Sequence, residues 1–276
     1  MEIRYAADPV RFLRMTTEEL RENFLIQSLF VPGKIEMVYS DIDRVIIGSA
    51  IPTGKPLILS ATDELRASYF TERRELGVLN IGSKGTIEVN GTAYEMEKLD
   101  CLYIGKGNEK ISFTSNKANN PAAFYILSYP AHAEYPTQLS KKENVKPLCL
   151  GSDENSNKRT IYKHIHPDGI KSCQLVMGVT VVAPGNVWNT MPPHTHERRM
   201  EVYLYFGIEE SNRVLHLLGK PQETRHIVVA NRQAVISPSW SIHSGVGTSC
   251  YSFCWGMGGE NQSFDDMDNL KIGDLK

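Results

Sequence analysis

Met191-Pro192-Pro193-His194-Thr195-His196-Glu197-Arg198-Arg199-Met200-Glu201-Val202-Tyr203-Leu204-Tyr205-Phe206 carries two histidines one residue apart and a carboxylate five residues after the second. In an extended chain residues i and i+2 share a face, so His194 and His196 can reach one ion while Thr195 points away. The short, charged segment 197–200 can turn the chain and bring Glu201 back to the same point from the next strand. Two imidazoles and a carboxylate suit a divalent first-row metal, and such a set calls for a fourth protein ligand.

Outward from this stretch the sequence reads as short strands between turns. Met37-Val38-Tyr39, Val45-Ile46-Ile47, Pro56-Leu57-Ile58-Leu59 and residues 76–81 precede the clearest hairpin, residues 85–94, where Asn90-Gly91 is the turn. Residues 98–105, 173–182, 214–218, 226–229, 234–236 and 250–255 continue the pattern. Evenly spaced short strands with glycine turns predict an all-β sandwich or barrel. One helix is expected near the start: Thr16 and Glu19 form a capping box ahead of Leu20, Phe24 and Leu25. Residues 131–160 are polar and read as a connection between two domains, 1–150 and 151–276. The tail after Asn261 reads as a surface segment.

Glu72-Arg73-Arg74-Glu75-Leu76-Gly77-Val78-Leu79 resembles Glu197-Arg198-Arg199-Met200-Glu201-Val202-Tyr203-Leu204, which points to two copies of one β domain. In that register Tyr69, Thr71 and Leu76 stand where the second copy has His194, His196 and Glu201. None of the three is a good divalent-metal ligand, so the first copy is expected to be structural.

The bulk composition narrows the function. Lys and Arg total 30 against 32 Asp and Glu, a net charge of -2, so no basic excess suggests nucleic acid. No apolar run approaches a membrane span, and the N-terminus lacks the plan of a signal peptide. The five cysteines, Cys101, Cys149, Cys173, Cys250 and Cys254, include no C-x-x-C pair and are expected to be free thiols in a reducing cytoplasm.

The fourth ligand should come from a late strand, and His243, after Pro238-Ser239-Trp240-Ser241-Ile242, supplies it. The order H-x-H-x4-E followed by a late histidine is similar to that of the cupin superfamily, small β-barrels binding one metal through three histidines and a carboxylate. Departures exist: eight residues separate Gly185 from His194 rather than five, Trp240 stands where cupins usually have Gly, and Gly247 where they often have Asn. The other histidines are poorer candidates. His164 and His166 are expected on a surface turn, His216 in a core or pocket, and His132 near the domain connection.

Longer strings carry a more specific resemblance. Residues 183–203, Gly219-Lys220-Pro221-Gln222-Glu223-Thr224-Arg225-His226, Ser237-Pro238-Ser239-Trp240-Ser241-Ile242-His243-Ser244-Gly245, Gly259-Glu260-Asn261-Gln262-Ser263-Phe264-Asp265-Asp266-Met267-Asp268, Phe70-Thr71-Glu72-Arg73-Arg74-Glu75 and Tyr103-Ile104-Gly105-Lys106-Gly107 resemble the 5-keto-4-deoxyuronate isomerase family of bacterial pectin breakdown. The resemblance spans nearly the whole chain. It implies a double cupin of two jelly-roll barrels, assembled as a homohexamer, with one zinc ion per chain on His194, His196, Glu201 and His243. It also implies a ketol-isomerase that converts 5-dehydro-4-deoxy-D-glucuronate to 3-deoxy-D-glycero-2,5-hexodiulosonate.

Such a reaction moves a proton from C2 to C1 through an enediolate, whose charge a chelating Lewis acid can offset. A bidentate arginine suits the substrate carboxylate, and Arg198, Arg199 and Arg225 are the candidates. Glu223, His226 and Tyr203 are candidates for the proton transfer. A 5-deoxyglucuronate isomerase of inositol breakdown, a metal-dependent dioxygenase and a non-catalytic sugar-binding cupin are the competing readings.

Overall fold

The computed structural model describes all of residues 1–276. The chain opens with β1 (Glu2–Arg4), the helices α1 (Pro9–Phe12) and α2 (Thr17–Phe24), and β2 (Leu25–Ile26). β3 (Ile35–Ser40), β4 (Ile46–Ala50), β5 (Leu57–Ile58), β6 (Arg74–Asn80), β7 (Gly85–Val89), β8 (Thr92–Met96), β9 (Cys101–Ile104), β10 (Ile111–Ser115), β11 (Phe124–Pro130) and β12 (Gln138–Ser140) follow. Next come β13 (Leu148–Leu150), β14 (Arg159–Ile165), β15 (Val176–Val182), β16 (Trp188–Asn189), β17 (His194–Thr195), β18 (Arg199–Phe206), β19 (Val214–Lys220) and β20 (Glu223–Val229). β21 (Gln233–Ser237), β22 (Ile242–Gly247), β23 (Ser252–Gly259) and β24 (Asp268–Asn269) complete the strands.

Two seven-stranded sheets run β1-β3-β4-β11-β6-β9-β12 and β13-β14-β15-β23-β18-β21-β2. Two four-stranded sheets run β5-β10-β7-β8 and β16-β22-β19-β20. The two sets match position by position, with β6 answering β18 and the β7–β8 hairpin answering β19–β20. The internal repeat is therefore a repeat of topology. Both halves are pairs of mainly antiparallel sheets, the all-β double-cupin architecture expected.

Local chemistry accounts for the main elements. Asn90 and Gly91 both have positive φ, 50° and 85°, as a two-residue hairpin between Val89 and Thr92 requires. The Thr16 hydroxyl accepts from the Glu19 amide while the Glu19 carboxylate accepts from the Thr16 amide, so the capping box at the start of α2 is complete. All eight residues of β18 are buried. Its alternation sends Glu201, Tyr203 and Tyr205 to one face and Met200, Val202 and Leu204 to the other.

The compact units are not the contiguous halves 1–150 and 151–276. One comprises Met1–Arg4, Leu29–Lys146 and His164–Met177; the other comprises Tyr5–Ser28, Pro147–Lys163 and Gly178–Lys276. The physical reason lies in the N-terminal segment. β2 completes the edge of the second large sheet by pairing with β21, and Phe12 packs edge-on against Trp240 and Phe24. The polar stretch 131–160 also does more than connect, because β12 pairs with β9 and β13 with β14.

In the first unit the barrel interior is filled. Phe70, Leu76, Ile87, Val89, Ile111 and Phe113 belong to one buried hydrophobic cluster. Thr71, where the second copy has His196, gives its hydroxyl proton to the Asn108 carbonyl. His164 departs from its expected surface turn. It is 2% exposed at the end of β14, with Nδ1 2.8 Å from the Ser140 hydroxyl.

Candidate metal centre

The second unit keeps a polar interior where the first is hydrophobic. Glu201 projects inward from β18, and His243 projects inward from β22, where it pairs with Leu218 of β19. His194 belongs to β17, which pairs with β24 from the tail. His196 follows one residue after β17, and a turn closed by the Arg199 amide on the His196 carbonyl (3.2 Å) leads into β18. The charged segment thus turns the chain as its composition predicts.

Four donor atoms converge, one each from His194, His196, Glu201 and His243, all within 4.8 Å of one another. His243 Nε2 lies 2.9 Å from His194 Nε2 and 2.9 Å from Glu201 Oε2. His196 Nε2 lies 3.1 Å from the same carboxylate oxygen. One ring nitrogen cannot satisfy two acceptors with one proton, whereas a cation between them satisfies every lone pair. Ligand bonds of about 2.0–2.2 Å place neighbouring donors roughly 3 Å apart, so the set fits a first-row divalent ion.

The surroundings prepare these side chains for that role. His196 Nδ1 donates to the Arg199 carbonyl at 2.8 Å, which fixes the tautomer and leaves Nε2 as the lone pair facing the site. Burial, followed by the charge of His243, pushes the His194 ring down to about 3, so it is neutral and available as a ligand at ordinary pH. Burial works to raise the Glu201 carboxyl, but His243 and His196 outweigh it and hold the group below the usual carboxylate range.

A cavity of about 220 Å3 adjoins the donors, lined among others by His194, Glu201, Tyr203, Arg159, Thr180, Thr190, Trp255, Phe264 and Met267. Tyr203 is inside it, its hydroxyl 3.1 Å from that of Thr190. Burial and the Glu201 charge push this phenol well above its ordinary range, so it is a neutral proton donor. Deeper in the barrel His216, fully buried, takes the Tyr205 hydroxyl on Nδ1 at 2.7 Å. Its ring is held down to about 3 by burial and then by the His243 charge.

The remaining expected residues lie elsewhere. Glu223 opens β20 beside the hairpin turn and is exposed, and His226 points from β20 to solvent. β20 is the outer strand of its sheet, and its inward parity belongs to Ile227 and Val229. Arg225 gives Nη2 to the Met15 carbonyl at 3.0 Å. Arg198 and Arg199 both hold the tail. Arg198 pairs with Asp266 (2.6 Å) and Asp268 (3.0 Å), and Arg199 donates to the carbonyls of Ser263, Phe264 and Asp266. The tail runs over the surface, as expected, and Phe264, Met267 and Asn269 of it also line the cavity. Sequence reasoning missed Arg159, Thr190 and Trp255 as lining residues. Arg159 stands in a polar run, and no local pattern marks it.

A family model described as the KduI/IolB family matches residues 27–272. Relatives named 4-deoxy-L-threo-5-hexosulose-uronate ketol-isomerase are 59% identical in Lachnoclostridium phytofermentans, 56% in Shouchella clausii and 51% in Escherichia coli O157:H7, each matched over 100% of both chains. Among solved structures, an IolB-like protein from Salmonella typhimurium LT2 superposes with a TM-score of 0.71 at 14% identity, covering 90% of this chain and 97% of that one. A Bacillus subtilis oxalate decarboxylase superposes with a TM-score of 0.61 at 10% identity, covering 90% and 79%. These distant structures share the fold alone. With the family model matching nearly its whole length, the chain belongs to the KduI/IolB family.

Proposed function

We propose that this chain is a ketol-isomerase that converts 5-dehydro-4-deoxy-D-glucuronate to 3-deoxy-D-glycero-2,5-hexodiulosonate, a step in uronate and pectin breakdown. The observation that carries this reading is the identity of 51–59% to ketol-isomerases across the entire chain. The site chemistry is consistent with it. An aldose–ketose shift needs charge stabilisation at two adjacent oxygens and a proton moved between adjacent carbons, and no electron leaves the substrate.

Our reading assigns His194, His196, Glu201 and His243 to one zinc ion per chain. When bound there, zinc supplies Lewis acidity without redox chemistry. The protein's own part is to hold three imidazoles and one carboxylate converged, to enclose the substrate between Trp255 and the tail residues Phe264 and Met267, and to present the Tyr203 hydroxyl. Tyr203 is the only one of the three proposed proton-transfer residues that faces the cavity, and as a neutral phenol it suits proton donation to a developing oxyanion.

A homohexamer in the cytoplasm completes the reading. Supporting it are five free thiols and an apolar N-terminal surface, with Tyr5 73%, Val10 64% and Leu13 48% exposed, which a second copy would cover. No helix is long and apolar enough to cross a membrane. The deciding experiment incubates the protein with unsaturated uronate released from pectin and follows the diketo acid by NMR. Iron in the purified protein together with oxygen consumption would instead indicate a dioxygenase.

A further inference from the structure

We propose that Arg159 binds the carboxylate of the substrate and makes the cavity selective for uronates over neutral sugars, an inference that rests on the ketol-isomerase reading. Arg159 begins β14 beside Leu150 of β13, and both line the cavity that holds His194 and Glu201. No other lysine or arginine lines it. The three arginines that the sequence offered for this task are held by Asp266 and Asp268, by tail carbonyls and by the Met15 carbonyl.

The guanidinium of Arg159 is only partly satisfied. Its single hydrogen bond runs from Nη1 to the Asn157 carbonyl, at 2.8 Å, and it forms no ion pair. The cavity lining it shares is largely carbon, from Leu150, Ile161, Phe253 and Trp255, with the hydroxyls of Thr180, Thr190 and Tyr203 as neutral polar groups. A half-buried cation that faces a cavity without a counter-charge gives up part of its solvation, and an arriving anion offsets that cost. The one carboxylate in the cavity, Glu201, is engaged by His196 and His243 and does not pair with Arg159. Nε and Nη2 remain as a two-pronged edge, the geometry that carboxylates fill with two parallel hydrogen bonds. A ligand with a carbonyl–hydroxyl pair at one end and a carboxylate at the other matches a cavity with the ligand cluster and Arg159 in one lining.

The test uses the metal-loaded full chain and two probes that cannot isomerise. These are L-gulonate, which is D-glucuronate reduced at C1, and D-sorbitol, its neutral counterpart. Calorimetry on the wild type should show a preference for L-gulonate, and Arg159→Met should reduce that preference by about 10- to 100-fold at unchanged metal content. Turnover of the keto-uronate should suffer mainly in KM. Arg159→Lys keeps the charge without the fork and should recover part of the loss; if Arg159→Met does not fold, a raised KM in Arg159→Lys supports the assignment and an unchanged one overturns it. Wild-type preference in a folded, metal-loaded Arg159→Met overturns it as well. Loss of preference in that variant supports the anion site whatever the turnover, whereas a wild type unable to isomerise keto-uronate would overturn the ketol-isomerase reading instead.

Discussion

Arg198 grips Asp266 with its Nε 2.8 Å from each carboxylate oxygen and its Nη2 2.6 Å from Oδ1, across 68 residues of sequence. This pair ties the tail to the turn between His196 and β18. The attached β24 then pairs Asn269 with His194, and the Leu270 amide donates to the Pro193 carbonyl at 3.2 Å. A metal ligand is thus held in place partly by a segment far from it in sequence. Arg198→Ala should leave the barrels folded but free the tail. Amide exchange at Leu270 should accelerate, and metal affinity should fall by about 10-fold, the effect expected when support behind a ligand is lost. Hydrogen exchange by mass spectrometry and a competitive chelator titration measure the two effects; an unchanged pair of readings would count against the clasp.

His243 and Glu201 meet at 2.9 Å in a buried setting, where His196 approaches the same carboxylate oxygen at 3.1 Å and a metal ion would join all three. His243→Ala should therefore release the metal and abolish turnover, and Glu201→Gln, nearly isosteric but uncharged, should do the same with less disturbance of packing. Metal content by plasma mass spectrometry, with circular dichroism to verify folding, checks both. The chelated wild type should lose thermal stability in proportion to the binding free energy and regain it when zinc is restored. Full activity in a metal-free variant would refute the mechanism.

The contrast between these two sites explains what could be read from the sequence. Strands and turns were visible because their chemistry is local, as at Asn90-Gly91 and in the Thr16–Glu19 capping box. Three of the clustered donors are local as well: His194, His196 and Glu201 sit within eight positions on one strand–turn–strand unit. His243 came from the order of ligands along the chain. Which arginine faces the cavity is a different kind of fact, since it depends on which strand lies beside which. Arg198 and Arg199 stand next to the ligands in sequence yet turn to the tail, while Arg159 is 35 positions before His194 and lines the cavity. His226 faces solvent because it stands on the outward parity of an outer strand, whereas Glu223 shares the parity of Ile227 and Val229 but lies at the exposed β19–β20 turn, beyond the barrel interior.

Gly178 on β15 leaves room for the cavity wall. A Cβ there would stand 2.2 Å from Trp255 Cζ2 and 2.5 Å from the Tyr162 carbonyl oxygen. The backbone cannot yield easily, so the indole must move, although its Nε1 is anchored 3.1 Å from the Thr180 hydroxyl. Gly178→Ala should cost about 1–3 kcal/mol of stability through overpacking. Because Trp255 lines the cavity, the same change should lower kcat/KM while the metal content stays at the wild-type value. Denaturant titration followed by tryptophan fluorescence reports both the stability and the altered indole environment. A variant as stable as the wild type with an unshifted emission would show that the wall is softer than its packing implies.

His164 supplies a pH dependence independent of the metal cluster. Burial holds its ring down to about 4, from an ordinary 6.5, against the opposing charge of Asp100. Between those values the unfolded chain carries one more proton than the folded one, so stability falls as pH falls. The contribution is fully present above about pH 6.5 and is lost as the solution approaches pH 4, an effect of up to about 3 kcal/mol. His164→Gln keeps a polar partner for the Ser140 hydroxyl and removes the titration. Urea unfolding at pH 7 and pH 4.5 should show the wild type losing more stability on acidification than the variant. Groups common to both proteins, the metal ligands included, cancel in that difference, so equal losses would mean that His164 opens to solvent before it protonates.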